Sequence, residues 1–221
     1  MQDDWLGALR TESRYLAIEG PLGVGKTSLV NILGQEFGYE SVLETVEGNP
    51  YVGRFHEDAT RYAFLAQVFF LQGRLHQQRR ISELLGGRRR VVSDYCFLNK
   101  EQIFTGLYLS GDENETYWGL RRAIDNPTPR PDLVIYLFAD PAIILKRIAL
   151  RNRSFERKIE PAFVLRMLEA YEQHFSRAAP EEVLKLDTSS LDFVNRPEDS
   201  RWLIQRIEQS LRARDMKRSL G

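Results

Sequence analysis

The 221-residue chain is 43% hydrophobic, with 31 basic and 31 acidic residues and a formal net charge of 0; this suits one domain with an apolar core and excludes a polybasic nucleic-acid coat or an acidic tail. A single cysteine, Cys96, excludes an intrachain disulfide framework and a cysteine-built zinc site. No run of ~18 apolar residues would span a membrane, and Met1-Gln2-Asp3-Asp4 lacks the basic-then-apolar order of a secretion signal, so a cytoplasmic protein is expected.

In chain order, Tyr15 to Glu19 is a short run with β-branched and aromatic residues, predicted as a strand. It enters Gly20-Pro21-Leu22-Gly23-Val24-Gly25, a turn that neither helix nor strand tolerates. Residues 26–37 are predicted as a helix with Leu29, Ile32, Leu33 and Phe37 as its apolar stripe, ended by Gly38. A second strand is expected at 41–44, then a loop at 47–52. The longest helix is expected over 57–85, where Gln67 is the one polar residue between Ala63 and Leu71. Residues 90–93 are expected as a third strand, followed by helices near 99–109 and 113–125 and a proline-marked loop. The nearly continuous apolar run 132–138 is of the buried parallel type. Helices at 141–151 and 161–175, a last strand at 183–186 and a terminal helix at 198–212, with Trp202, Leu203, Ile207 and Leu211 inward, complete the chain. Such alternation predicts an α/β protein in three layers: a five-stranded parallel sheet flanked by helices, as a single domain over 1–221.

Gly20, Gly25, Lys26 and Thr27 fit the spacing of a phosphate loop, between a predicted strand and a predicted helix. Glycines let successive backbone N–H groups converge on phosphate oxygens, and the following helix points its positive end at them. The run Gly20, Pro21, Leu22, Gly23, Val24, Gly25, Lys26, Thr27 and Ser28 is therefore the expected ATP-binding loop of a P-loop NTPase fold. Lys26 reaches toward the β- and γ-phosphates, and the Thr27 hydroxyl toward Mg²⁺.

The acceptor side brings a resemblance. Ile18-Glu19-Gly20, the segment from Leu43 to Tyr51, Arg61-Tyr62-Ala63-Phe64 through Gln67 to Arg74, and Val92-Ser93-Asp94-Tyr95 together resemble the deoxynucleoside kinases, above all their bacterial deoxyadenosine and deoxyguanosine branch. A fifth segment, from Lys146-Arg147 to Glu156, is similar to the lid of that family. The likeness spans about residues 14–210.

The resemblance implies Glu44 as the general base for a substrate 5′-hydroxyl, with Glu47 close beside it in sequence. It implies Gln67 as the reader of the base edge. That agrees with the cost of burying an amide whose donors and acceptor are unmet. Arg74 lies two helical turns on and serves either the reacting 5′-oxygen or a base-side acid. The resemblance implies Asp94 as a Mg²⁺ carboxylate beside Thr27, binding the ion directly or through its shell, and as a member of the substrate site. Tyr51 joins the substrate site, and Phe104 either stacks on the base or fills the core. Tyr95 stands where animal relatives carry Arg, leaving Arg74 or Arg54 to replace it. Lys100-Glu101 departs from the acid–Arg pair that sorts bases in related enzymes.

Arg147 and Arg151 share a helix face at i and i+4, and Arg153 follows. Like charges so crowded call for an anion, and guanidinium geometry fits phosphate oxygens. An Arg-rich lid over about 151–159 is expected. Arg147 and Arg151 would be catalytic, Arg151 and Arg153 would bind ATP, and Glu156 would bind substrate. His56, His76 and His174 lack metal spacing and are expected at the surface or on helix faces. Trp118 to Arg122, with Leu107 and Leu109, offers a face for a partner, and the resemblance implies a homodimer. The expected activity is ATP- and Mg²⁺-dependent phosphorylation of a deoxynucleoside, a purine one first, to its 5′-monophosphate in salvage. One alternative is a thymidylate-type nucleoside monophosphate kinase, with Arg54 and Arg74 on the acceptor phosphate. The other is a non-catalytic ATP-binding P-loop protein. No nucleic-acid or membrane partner is expected.

Overall fold

Five parallel strands alternate with eight helices among the described residues of the computed structural model, which are 14–46, 48–124, 128–151, 160–179 and 182–220, with side chains to 217. The elements are β1 (Tyr15–Glu19), α1 (Lys26–Phe37), β2 (Glu40–Val42), α2 (Val52–Glu57), α3 (Ala59–Gly86), β3 (Val91–Ser93), α4 (Phe97–Tyr108), α5 (Gly111–Ala123), β4 (Leu133–Phe138), α6 (Pro141–Arg151), α7 (Pro161–Ser176), β5 (Val183–Asp187) and α8 (Pro197–Leu220). The sheet order is β2-β3-β1-β4-β5. Every residue of β1 is buried, and β4 is buried up to its last residue. Strands covered on both faces need the unbroken apolar runs seen here.

The order reverses at β1, whose chain neighbour β2 lies beyond β3 while β4 lies on the other side. Ligands of such sheets bind outside the strand carboxyl ends at the reversal. Ala17 and Val42 both pair with Ser93, so the chain leaving β1, β2 and β3 converges there on Glu19, Glu44 and Asp94.

β2 stops at Val42, two residues before the expected end. The Glu44 backbone N–H donates to Asp94 Oδ1 at 2.7 Å, and the Leu43 carbonyl accepts from Gln77 Nε2 at 2.6 Å. Those backbone groups have left the ladder, so Glu44 sits in a loop rather than on the strand. The segment 52–57, not expected to be an element of its own, is the short helix α2. Asp58 separates it from α3 by capping Arg61 N–H with its side chain at 3.1 Å, a break the apolar pattern does not register. In α8, Ile204 is buried and Trp202 is 42% exposed, reversing the expected inward place of Trp202.

α3 buries Ala63, Ala66, Gln67, Leu71, Arg74, Leu75, Gln78 and Ile81 on one face, while Leu65 in the same apolar stretch is exposed. The stretch 63–71 therefore serves two surfaces. Gln67 and Arg74 fall on the inner one, toward the sheet reversal.

Candidate active site

Backbone geometry shapes the loop after β1. Gly20 has φ 146°, and a Cβ there would sit 2.3 Å from the Leu137 carbonyl oxygen. Gly25, at φ 109°, would bring one to 2.5 Å from the Phe193 ring. Only glycine combines such angles with such close approach. Lys26 Nζ donates to the carbonyls of Gly20 at 2.8 Å and Pro21 at 3.0 Å, tying the amine back across the loop. Burial and then the neighbouring Lys100 charge bring its pKa down to about 8, against the pull of Asp94, Glu19 and Glu44. Thr27 Oγ1 donates to Asp94 Oδ2 at 3.4 Å.

Glu44 accepts from Arg74 Nε through Oε1 at 2.7 Å, while its Oε2 lies 3.5 Å from Lys100 Nζ. Burial by itself would raise the carboxyl pKa. The charges of Lys100 and Arg74, the Arg74 hydrogen bond and Lys26 overcome it and bring the value down to about 2. Asp94 goes the other way: burial raises it, and the adjacent Glu44 charge adds to the rise. Neither cation on Glu44 comes from 95 or 54. Tyr95 is fully buried, its hydroxyl accepting from Gln78 Nε2 at 3.3 Å, and the Arg54 guanidinium lies 5.8 Å from the centroid of the Tyr62 ring.

These groups share one cavity of about 440 Å³. Leu22, Gly23, Gly25, Lys26, Thr27 and Ser28 line one part of it, with Glu44 and Asp94 beside them. Gln67, Arg74 and Phe104 line it as well. The Gln67 Oε1 and Arg74 Nη1 atoms are buried and have no hydrogen-bond partner among the described residues. Buried polar atoms left unmet cost about 1–3 kcal/mol each, and both residues carrying them line the cavity. A larger groove of about 540 Å³ lies elsewhere, on the outer faces of α3 and α5, and holds none of this chemistry.

Other expected residues are placed differently. Arg151 lines the cavity, but Arg147 does not. The Arg147 guanidinium donates to the carbonyls of Thr188 at 2.7 Å, Leu191 at 2.8 Å and Val24 at 3.4 Å, and to Thr188 Oγ1 at 3.1 Å. Its donors are turned to Thr188 Oγ1 and to main-chain carbonyls, where they fasten the loop. The i,i+4 spacing put both side chains on one face but did not say which surface each tip would meet. Tyr51 lies on the outer groove, edge-on to Phe69, because α2 carries the chain across the cavity only from Val52 onward. Glu47, Arg153, Glu156 and the lid segment 152–159 lie outside the described residues.

His56, Phe163, Met167 and Lys100 line the cavity without having been singled out for it. Burial lowers the His56 pKa, and its ring meets Phe55 and Phe163 edge-on. The lone polar character of His56 at the end of an unrecognised helix carried no signal. Lys100 did carry one, as a lysine one turn into a helix next to the helix's buried Glu101.

A parallel sheet that delivers a glycine loop onto a helix N-terminus, with carboxylates past β2 and β3, defines a P-loop NTPase-type α/β protein. Residues 16–212 match the deoxynucleoside kinase family. The chain is 36% identical over 185 residues to the deoxyguanosine kinase of Bacillus subtilis (strain 168), covering 81% of this chain and 89% of that one. It is 32% identical over 206 residues to the deoxyadenosine kinase of Dictyostelium discoideum, covering 91% and 82%. The structure of deoxyadenosine kinase from M. mycoides with bound dATP has the same fold, with a TM-score of 0.74 at 22% identity over 88% of this chain and 98% of that one. The chain belongs to the deoxynucleoside kinase family and is a phosphotransferase acting on a nucleoside hydroxyl.

Proposed function

We propose that the protein transfers the γ-phosphoryl group of ATP to the 5′-hydroxyl of a purine deoxynucleoside, releasing ADP and the 5′-monophosphate in salvage. The carrying observation is the shared cavity, lined by the phosphate loop and Glu44 together with the unpaired Gln67 amide oxygen and an unpaired Arg74 donor. A purine edge offers both a donor and an acceptor to that pair, and the deoxyguanosine and deoxyadenosine kinases among the relatives support the same choice.

In the reaction the 5′-oxygen forms a bond to the γ-phosphorus while the bond from phosphorus to the departing ADP oxygen breaks and its electron pair leaves with ADP. Glu44 orients the hydroxyl and takes its proton. A carboxylate held near pKa 2 is a weak base, so its first service is aim, with proton transfer late in a loose transition state. Lys26, the α1 N-terminal amides and Arg151 offset charge on the transferred group. Thr27 and Asp94 present hard oxygens 3.4 Å apart on the cavity wall. They fit Mg²⁺, which takes few protein ligands and completes its shell with phosphate and water. When bound, the ion would neutralise phosphate charge.

The same reading includes one kinase domain, a homodimer and a cytoplasmic location. The apolar groove between α3 and α5, lined by Leu65, Val68, Phe69, Leu120 and Ile124, supports the dimer, and the unpaired Cys96 suits a reducing compartment. No helix among the described residues is long and apolar enough to cross a membrane. Assay of the four deoxynucleosides and their monophosphates with ATP and Mg²⁺ tests the central statement. Turnover of the purine deoxynucleosides is expected; turnover of monophosphates alone would replace this function with a monophosphate kinase.

A further inference from the structure

Lys100, on α4, is a buried charge that the reaction as described does not use. Its side chain is 9% exposed, and lysines are seldom buried without a partner. The ammonium lies 3.5 Å from Glu44 Oε2, 4.9 Å from the Phe104 ring centroid and 3.2 Å from the Tyr171 hydroxyl, to which it donates. The Tyr171 hydroxyl, on α7, donates to Glu19 Oε2 at 3.2 Å. Glu19, at the end of β1, is held in turn by the N–H groups of Cys96 at 2.7 Å and Gly20 at 3.2 Å. A flexible four-carbon side chain is thereby anchored from behind to the strand that carries the phosphate loop.

The two oxygens of Glu44 are divided between two cations. Oε1 is taken by the Arg74 hydrogen bond, so Oε2 is the oxygen left for a substrate hydroxyl, and it faces Lys100. Arg74 alone leaves the carboxylate free to turn about its last torsion, since terminal sp³–sp² torsions have broad wells. A second, anchored charge removes that freedom.

We propose that Lys100 is a positioning residue for phosphoryl transfer: anchored through Tyr171 and Glu19, it keeps Glu44 Oε2 aimed at the acceptor hydroxyl. The proposal deepens the reading of Glu44 given above and rests on it. Lys100 acts through Glu44, so its contribution appears in the transition state and not in ground-state binding. Misplacing a reacting group by about 1 Å costs on the order of 10²-fold in rate.

The experiment is a double-mutant cycle on the full chain with a deoxynucleoside, ATP and Mg²⁺. Lys100→Met is expected to lower kcat about 10²-fold with both KM values within about threefold of wild type. In a Glu44→Gln background the same substitution is expected to change kcat by less than about threefold, because the group it positions is gone. Lys100→Arg, which keeps the charge, recovers part of kcat. Tyr171→Phe, which keeps the ring and removes the hydroxyl, loses kcat in the same direction by a smaller factor and serves if Lys100→Met does not fold. Additive effects in the cycle, or a folded Lys100→Met with wild-type kcat, would overturn the proposal. A crystal structure of Lys100→Met gives a readout independent of turnover. Rotation of the Glu44 carboxylate away from its present orientation supports the proposal, and an unmoved carboxylate overturns it. Failure of the wild type to phosphorylate any deoxynucleoside would instead strike the functional reading.

Discussion

Arg74 Nε donates to Glu44 Oε1 at 2.7 Å, joining a buried guanidinium to a largely enclosed carboxylate on the wall of one cavity. The pair fixes the carboxylate and keeps it ionised at every physiological pH. Glu44→Gln preserves the shape and an acceptor for Arg74 but removes the base. The expected result is a fall in kcat of about 10²–10⁴-fold with ATP affinity unchanged, read by steady-state kinetics and calorimetric ATP titration. Equal losses in ATP binding would show that Glu44 holds the loop rather than the acceptor.

Glu44 also ties stability to acid. Its folded pKa, about 2, lies below the ordinary carboxyl range, so its contribution is fully present above the unfolded pKa and is lost as pH falls through the folded one. Acid unfolding of the wild type is expected to include this loss between roughly pH 4.5 and pH 2, and Glu44→Gln should flatten that part of the curve. Parallel acid-unfolding curves for the two proteins would remove the linkage.

Gln67 Oε1 is unmet in the free protein. Gln67→Leu, similar in size, removes that penalty and leaves nothing for a base edge to bond. Thermal unfolding of the free protein is expected to move up by a few °C, since about 1 kcal/mol corresponds to ~2–4 °C at this chain length. The deoxynucleoside KM should rise about tenfold or more, at unchanged KM for ATP. A lower midpoint with the nucleoside KM unchanged would place the amide in the core and not in recognition.

Lys26 titrates near pH 8, because burial and Lys100 disfavour its charge. Triphosphate binding favours the charged amine, so ATP affinity should weaken as pH rises through 8, with proton uptake on binding above that pH. Calorimetry in buffers of different ionisation enthalpy measures that uptake. No uptake between pH 8 and 9 would mean the amine is already charged in the free protein.

Gly20 offers a backbone test of the loop. A methyl group there meets the Leu137 carbonyl, a main-chain atom that cannot turn aside, at a φ that L-residues rarely adopt. Gly20→Ala is expected to abolish ATP binding and lower the unfolding temperature. Wild-type ATP affinity in this variant would refute the described loop geometry.

The sheet and the phosphate loop were readable in the chain because their causes are local. Buried parallel strands need unbroken apolar runs such as 133–138, and the approach of the Gly20–Gly25 loop to its ligand admits few other residues. Gln67 was readable too, as one amide in an apolar helix face. Helix boundaries around Asp58 were not, since a cap is one side chain, and periodicity passes through it.

What the sequence determined alone was the strand–loop–helix order and the chemistry available at each carboxyl end, which depend on spacing along the chain. Tertiary structure alone decided which tips meet. It sent Arg147 to main-chain carbonyls and Tyr51 to the outer groove, and it brought Lys100 and Tyr171, 71 residues apart, to the same carboxylate cluster. Such meetings depend on the crossing of α4 and α7 over the sheet reversal, a distance in space on which residue spacing places no constraint.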